Sequence, residues 1–203
     1  EDGRIGLPRR GGAPVAVLGP ACHPVEARVC RETLGETLEQ ARSVRAVVVG
    51  ERDEIRGHLL EAHREDFTYY GRRSLEHGAT VTGAAYSRAL LRVDQLRRQM
   101  ENFFDQYDLL LTPTMAVPAF PIEQRPSVIG GREVNPFWGY LPFTFPINMT
   151  GQTAASVPCG FSGDRLPIGL HIIGPRGAEV RVLQASTAFE EARPWADKRP
   201  PVS

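Results

Sequence analysis

Short apolar runs alternate with helical patterns along the first part of the chain, and this alternation constrains the fold more than any other feature of the sequence. The runs Pro14–Leu18 and Val44–Val49 are each closed by a glycine, as is typical of buried strands. Apolar residues recur every three or four positions over 24–42 and 52–64, which predicts helices that bury one face. This order favours an α/β sheet with helices on its faces.

The remainder of the chain continues the alternation. The expected elements are, in order, a long helix over 86–107, a central strand over 108–113, one or two helical turns over 143–151 ended by Gly151, a hairpin of strands 155–161 and 168–173, and a last helix over 180–189 halted by Pro194. Residues 115–142 hold five prolines and three glycines, so an irregular loop is expected there. Loops of this length in compact domains are often functional.

The 203 residues are 41% hydrophobic and 24% charged, which suits one globular domain. We expect an irregular lead-in over 1–13, a domain over 14–195 and a frayed tail over 196–203. Equal numbers of basic and acidic residues, 24 of each, give no long-range field for nucleic acid or an anionic membrane. Without an apolar run near the roughly 20 residues that cross a bilayer, a cytoplasmic protein is expected.

Three cysteines, Cys22, Cys30 and Cys159, have no CxxC spacing and suggest neither a disulfide framework nor a zinc site. His58 and His63 are five apart and do not share a helix face, so no metal or other cofactor is expected. The only lysine is Lys198. Arginine stays protonated and cannot serve as a general base, so lysine-based chemistry has one poor candidate.

Other candidate reactive groups have ordinary explanations. Ser156 and Ser162 lack a G-x-S-x-G elbow and are expected to be solvated or bonded to backbone. Cys159 lies in an apolar strand, where a thiol is usually a small buried hydrophobe with a raised pKa. His171 interrupts an apolar strand and is expected to be a hydrogen-bonded core residue. Local chemistry alone therefore predicts an α/β domain without a recognisable active centre.

Several segments, taken together, resemble the carboxy-terminal half of the amidase signature family, the serine hydrolases that cleave amide carbon–nitrogen bonds. The matching segments are YDLLLTPT (107–114), FTFPINMTG (143–151), ASVPCG (155–160), LPIGLHIIG (166–174, with His171 where glutamine is usual) and GRRSLEHG (71–78). The resemblance implies that residues 14–195 are the carboxy-terminal portion of that fold, a mixed β-sheet flanked by helices.

Family members activate a serine with a second serine and a neutral lysine, and these residues belong to an amino-terminal region that has no counterpart here. The resemblance therefore implies a fragment, a processed subunit or a truncated gene product that needs a complementing amino-terminal half and is inactive alone. A homo-oligomer is also compatible with it. The alternatives are a non-catalytic scaffold subunit that pairs with a separate catalytic chain and, least favoured, an independent lysine- or cysteine-based enzyme.

The resemblance also suggests substrate-pocket residues. The candidate wall residues are Thr114, Trp138, Phe143, Thr144 and Asn148; each of them could equally pack the core. Aromatic walls suggest an apolar or aryl amide. Family members that hydrolyse glutamine carry an aspartate just before the FT pair, and the nearby position in this sequence is Leu141, so glutaminase activity is disfavoured.

Overall fold

The computed structural model describes residues 16–17, 58–60 and 62–198. The lead-in, most of the tail, and the strand and helix patterns over 24–42 and 44–49 lie outside the described residues. Contacts divide the chain into two units, and the boundary falls inside a long helix. Of the described residues, 16–17 and 99–198 belong to the first unit, and 58–60 and 62–98 belong to the second.

The second unit is helical where it is described. A 3₁₀ turn at Arg64–Asp66 precedes helix α1, Tyr69–Gly78, and helix α2, Gly83–Phe104, runs on into the first unit. Thr68 caps α1, because its hydroxyl accepts a hydrogen bond from the Gly71 amide at 3.2 Å.

Helix α2 confirms the long helical pattern but begins three residues before 86 and ends three residues before 107. Thr82 explains the early start, since its hydroxyl accepts a hydrogen bond from the Ala85 amide at 3.2 Å. The buried residues of α2 recur every three or four positions and are Ala89, Val93, Leu96, Met100 and Phe103.

The first unit contains a four-stranded sheet in the order β1-β2-β6-β5 among the described residues. Its strands are β1, Ala16–Val17; β2, Leu110–Pro113; β5, Thr153–Phe161; and β6, Pro167–Gly174. Strand β1 is parallel to β2, whereas β2 with β6 and β6 with β5 are antiparallel. The sheet is therefore mixed, which confirms the expected fold class, and β5–β6 is the expected hairpin.

Strand register assigns the side chains to two faces, because directly paired residues of neighbouring strands point the same way. Leu111 pairs with Ile172, which pairs with Ala155, and this row faces helix α4, Glu179–Ala192. Val182 of α4 is buried in the same cluster. Helix α4 thus covers one face of the sheet and confirms the expected last helix.

The segment between β2 and β5 is irregular over most of its length, as expected. It differs from expectation in holding a small hairpin, β3 at Val128–Ile129 and β4 at Arg132–Glu133, whose turn glycines Gly130 and Gly131 have positive φ. Helix α3, Phe145–Thr150, ends at Gly151 with φ of +76°, a left-handed conformation that glycine adopts at little cost.

Candidate functional site

The face of the sheet opposite α4 carries a row of polar side chains, one from each of the three antiparallel strands. Thr112 of β2 pairs with His171 of β6, and His171 pairs with Ser156 of β5, so the three side chains form one row across the sheet. Thr112 and His171 are buried, while Ser156 is exposed at the edge strand. A polar row within a hydrophobic sheet marks this face as the candidate site.

Ser156 of this row also pairs with the hydroxyl of Thr114, the residue that follows the end of β2. The Oγ1 of Thr114 and the Oγ of Ser156 are 2.7 Å apart, a short hydrogen bond in which either atom can donate. The Thr114 amide donates to the Gly169 carbonyl at 2.9 Å, which fixes the backbone beneath the pair. Of the predicted wall residues, Thr114 is therefore held by both β5 and β6.

Gly169 makes room for these hydroxyls. A Cβ atom at this position would lie 2.6 Å from the Thr114 Oγ1 and 2.7 Å from the Ser156 Oγ. Both distances are shorter than real Cβ contacts, so a side chain here and the hydroxyl pair exclude each other in their present positions.

His171 is held as a neutral imidazole. The Thr112 hydroxyl donates to the Pro113 carbonyl at 2.9 Å, so the His171 Nδ1, 3.5 Å from the Thr112 Oγ1, acts as the donor of that long hydrogen bond. Burial lowers the pKa of His171 below its ordinary value. The expected hydrogen-bonded core histidine is confirmed, and its Nε2 keeps a lone pair.

The loop that holds Trp138 is anchored close to the end of β2. The Ala116 amide donates to the Tyr140 carbonyl at 3.2 Å, and the rings of Phe120 and Tyr140 meet edge to face with centroids 5.1 Å apart. The Trp138 ring contacts the Phe145 ring of α3 at a centroid distance of 5.2 Å. The structure thus joins the loop to the strand on one side and to α3 on the other.

The remaining predicted wall residues surround the start of α3. Phe143 and Thr144 are half-buried. Thr144 is the N-cap residue of the helix, and its carbonyl accepts a hydrogen bond from the Asn148 amide at 3.1 Å. Asn148 is exposed. Within the described ranges, no hydrogen bond or ring contact links these three side chains to Thr114.

The described cysteine and two of the described serines form hydrogen bonds that do not activate them as nucleophiles. Cys159 donates from its Sγ to the Ile168 carbonyl at 3.4 Å, and burial raises the pKa of this thiol above its ordinary value, as expected. Ser162 accepts from the Leu166 amide at 3.1 Å, and Ser186 donates to the Val182 carbonyl at 2.8 Å. Among residues 58–60 and 62–198, no cluster of three or more His, Cys, Asp or Glu side chains could hold a metal ion.

Sequence comparison gives one family match and several relatives. The family model described as Amidase matches residues 18–183. The acylamidase of Rhodococcus erythropolis is 38% identical over 114 residues, which cover 54% of this chain and 24% of the relative. A glutamyl-tRNA(Gln) amidotransferase subunit from Moorella thermoacetica is 42% identical over 119 residues, which cover 58% of this chain and 23% of the relative.

Structure comparison gives a consistent result. The crystal structure of a bacterial aryl acylamidase of the amidase signature family superposes with a TM-score of 0.71 and 25% sequence identity, covering 93% of this chain and 46% of that one. This chain therefore spans less than half of that relative's length. Of the helices that the structure describes, none is long and apolar enough to cross a membrane.

Proposed function

Because the chain belongs to the amidase signature family, we propose that it is the carboxy-terminal part of an amide hydrolase that transfers an acyl group from an amide nitrogen to a serine and then to water. The chain contributes walls of the substrate pocket. The nucleophilic serine, the second serine and the lysine come from an amino-terminal half, either on a companion chain or on a longer polypeptide. The chain alone is inactive.

The observation that carries this proposal is the state of the only lysine. A serine attacks an amide at neutral pH only when an adjacent base takes its proton. Lys198 is exposed and its Nζ donates to the Asp197 carboxylate at 3.0 Å; among the described residues, no hydrogen bond joins it to a serine. The other 23 of the 24 Lys and Arg residues are arginines. A lysine base of the kind that this family uses must therefore be supplied from elsewhere.

The proposed pocket walls are Thr114, Trp138, Phe143, Thr144 and Asn148. The ring contact of Trp138 with Phe145, and the half-buried state of Phe143, give this region an aromatic character. Aromatic walls favour an apolar or aryl amide. Leu141, in place of an ammonium-binding aspartate, disfavours glutamine as the substrate.

Complementation tests the proposal. The chain is assayed alone and after coexpression with the amino-terminal half of an amidase signature enzyme, by following the release of nitroaniline from an acyl nitroanilide. We expect no turnover by either half alone and measurable turnover by the pair, because only the pair has both the base and the pocket walls. The pair with alanine at the catalytic lysine of the partner is the matched control.

Enzyme-like turnover by the purified chain alone would refute the proposal. Stable association of the two halves without turnover would instead favour the alternative function, a non-catalytic scaffold subunit. Size-exclusion chromatography of the same mixtures separates these outcomes and reports whether the chain also pairs with itself.

A further inference from the structure

The two hydroxyls of Thr114 and Ser156 have unused hydrogen-bonding capacity. Among the described residues, each hydroxyl oxygen bonds only to the other, at 2.7 Å. One hydroxyl proton serves that bond, and the second proton remains available as a donor. Ser156 is exposed, so a ligand atom can reach the pair from solvent.

Within the described sheet, the neighbours of the pair on this face are uncharged. The residues that share this face near the pair are Thr112, Pro158, Gly169 and His171. Burial keeps the His171 imidazole neutral at neutral pH by lowering its pKa. A charged ligand group would lose its hydration here without gaining an opposite charge, whereas an uncharged oxygen needs only one donor.

The geometry of the pair is specified by the backbone. Gly169 leaves the space that both oxygens occupy, and its carbonyl holds the Thr114 amide at 2.9 Å. Register places Ser156 two residues along β5 from Pro158, the partner of Gly169. Contacts with β5, β6 and the end of β2 therefore fix the position of the remaining hydroxyl donor.

We propose that the Thr114–Ser156 hydroxyl pair is a specificity site that donates a hydrogen bond to an uncharged oxygen of the substrate, an ether or carbonyl oxygen away from the scissile bond. This inference rests on the proposed function, and it narrows the substrate to amides that carry a second, uncharged acceptor. The pair takes no part in bond cleavage.

The test uses matched nitroanilides with the complemented enzyme. Each acyl chain carries either an ether oxygen or a methylene at the same position, and the position is moved along the chain in a short series. In the wild type, one ether amide of the series is expected to have a KM about threefold to tenfold lower than its methylene analogue, the range that one net hydrogen bond supplies. In Ser156→Ala and Thr114→Val, the ether amide should lose this advantage over its methylene analogue.

Two further variants distinguish a substrate-binding role of the hydroxyl pair from a purely structural role. Gly169→Ala should abolish the same advantage, because its Cβ displaces both hydroxyls. Ser162→Ala removes a hydroxyl from the turn of the same hairpin, where it accepts from the Leu166 amide, and should leave the advantage unchanged. Equal losses for ether and methylene amides in Ser156→Ala and Thr114→Val would overturn the inference and leave the pair a structural role.

Calorimetric binding of the same amides, to the chain alone and to the complemented pair, makes the result independent of turnover. If the wild type hydrolyses the methylene amides and no ether position binds more tightly, the specificity site is wrong and the proposed function stands. If no amide is hydrolysed, the proposed function fails. The specificity site then stands only if an ether amide still binds more tightly and Ser156→Ala removes the difference.

Discussion

The imidazole of His171 lies between two hydroxyl-bearing residues in the middle strand of the antiparallel part of the sheet, where water cannot solvate a charge. Its lowered pKa has a direct consequence for stability. Between the lowered pKa of the folded state and the ordinary histidine pKa of 6.5, the unfolded chain binds a proton at this position and the folded chain does not. This residue therefore makes the protein less stable as the pH falls below that value and has no effect well above it.

We predict that the free energy of unfolding falls between pH 7.5 and pH 5.5 more steeply in the wild type than in His171→Gln, because glutamine keeps a hydrogen-bonding group and cannot titrate. Chemical denaturation at both pH values measures this difference. Parallel pH dependence in the two proteins would show that His171 is not the group responsible.

Trp138 is the residue on which the proposed aryl preference depends most. In the complemented enzyme, Trp138→Ala should lower kcat/KM for an aryl amide about twofold to tenfold relative to an alkyl amide, since one ring contact is worth roughly 0.5–1.5 kcal/mol beyond its buried area. Trp195→Ala is the matched control, because Trp195 is 37% exposed and lies after the end of α4. An unchanged preference in Trp138→Ala would remove this residue from the pocket.

At the scale of elements, the packing of α4 on the sheet depends on a glycine of β6. A Cβ at Gly174 would lie 2.9 Å from the Cγ2 of Val182, a buried and rotationally restricted side chain of α4. Gly174→Ala should therefore push α4 away from the sheet and cost about 1–3 kcal/mol of unfolding free energy.

Thermal and chemical denaturation measure this cost. Gly163→Ala is the control, because a Cβ there meets nothing within 4 Å, and its effect should stay within about 0.5 kcal/mol. Adding Val182→Ala to Gly174→Ala should recover part of the loss through the relieved contact. Equal stability of the Gly174→Ala and Gly163→Ala proteins would contradict this packing.

Elements with strong local signals are predictable from the sequence. The β5–β6 hairpin follows from apolar runs on either side of a turn, and α3 ends where Gly151 takes a positive φ. Helix α1 is not among the predicted elements, because its apolar pattern is weak; the capping hydroxyl of Thr68 is the signal that indicates it.

The candidate site is only partly predictable. The resemblance predicts Thr114 as a pocket residue, whereas the sequence predicts that its partner Ser156 is solvated or bonded to backbone. The two lie 42 positions apart and meet only because β6 separates and aligns β2 and β5. Sequence patterns define each strand but not the register between distant strands, so a hydroxyl pair of this kind becomes visible only in the folded sheet.

At the scale of the whole molecule, the family assignment and the fold class follow from motifs that are weak singly and specific in combination. The scarcity of lysine is also readable from the sequence, because Lys198 is the only one among the 24 basic residues. The position of the substrate pocket remains a prediction. The complementation assay tests this position, and it also tests whether the catalytic residues and the pocket walls come from different halves.

The close approach at Gly169 also links the mutational histories of three positions. While both hydroxyls are in place, a larger residue at 169 is blocked, so selection is expected to remove it. Once either hydroxyl has been lost, that barrier weakens and drift at 169 becomes tolerable. Descendants of this gene should therefore inherit Thr114, Ser156 and Gly169 as a block, or change them together.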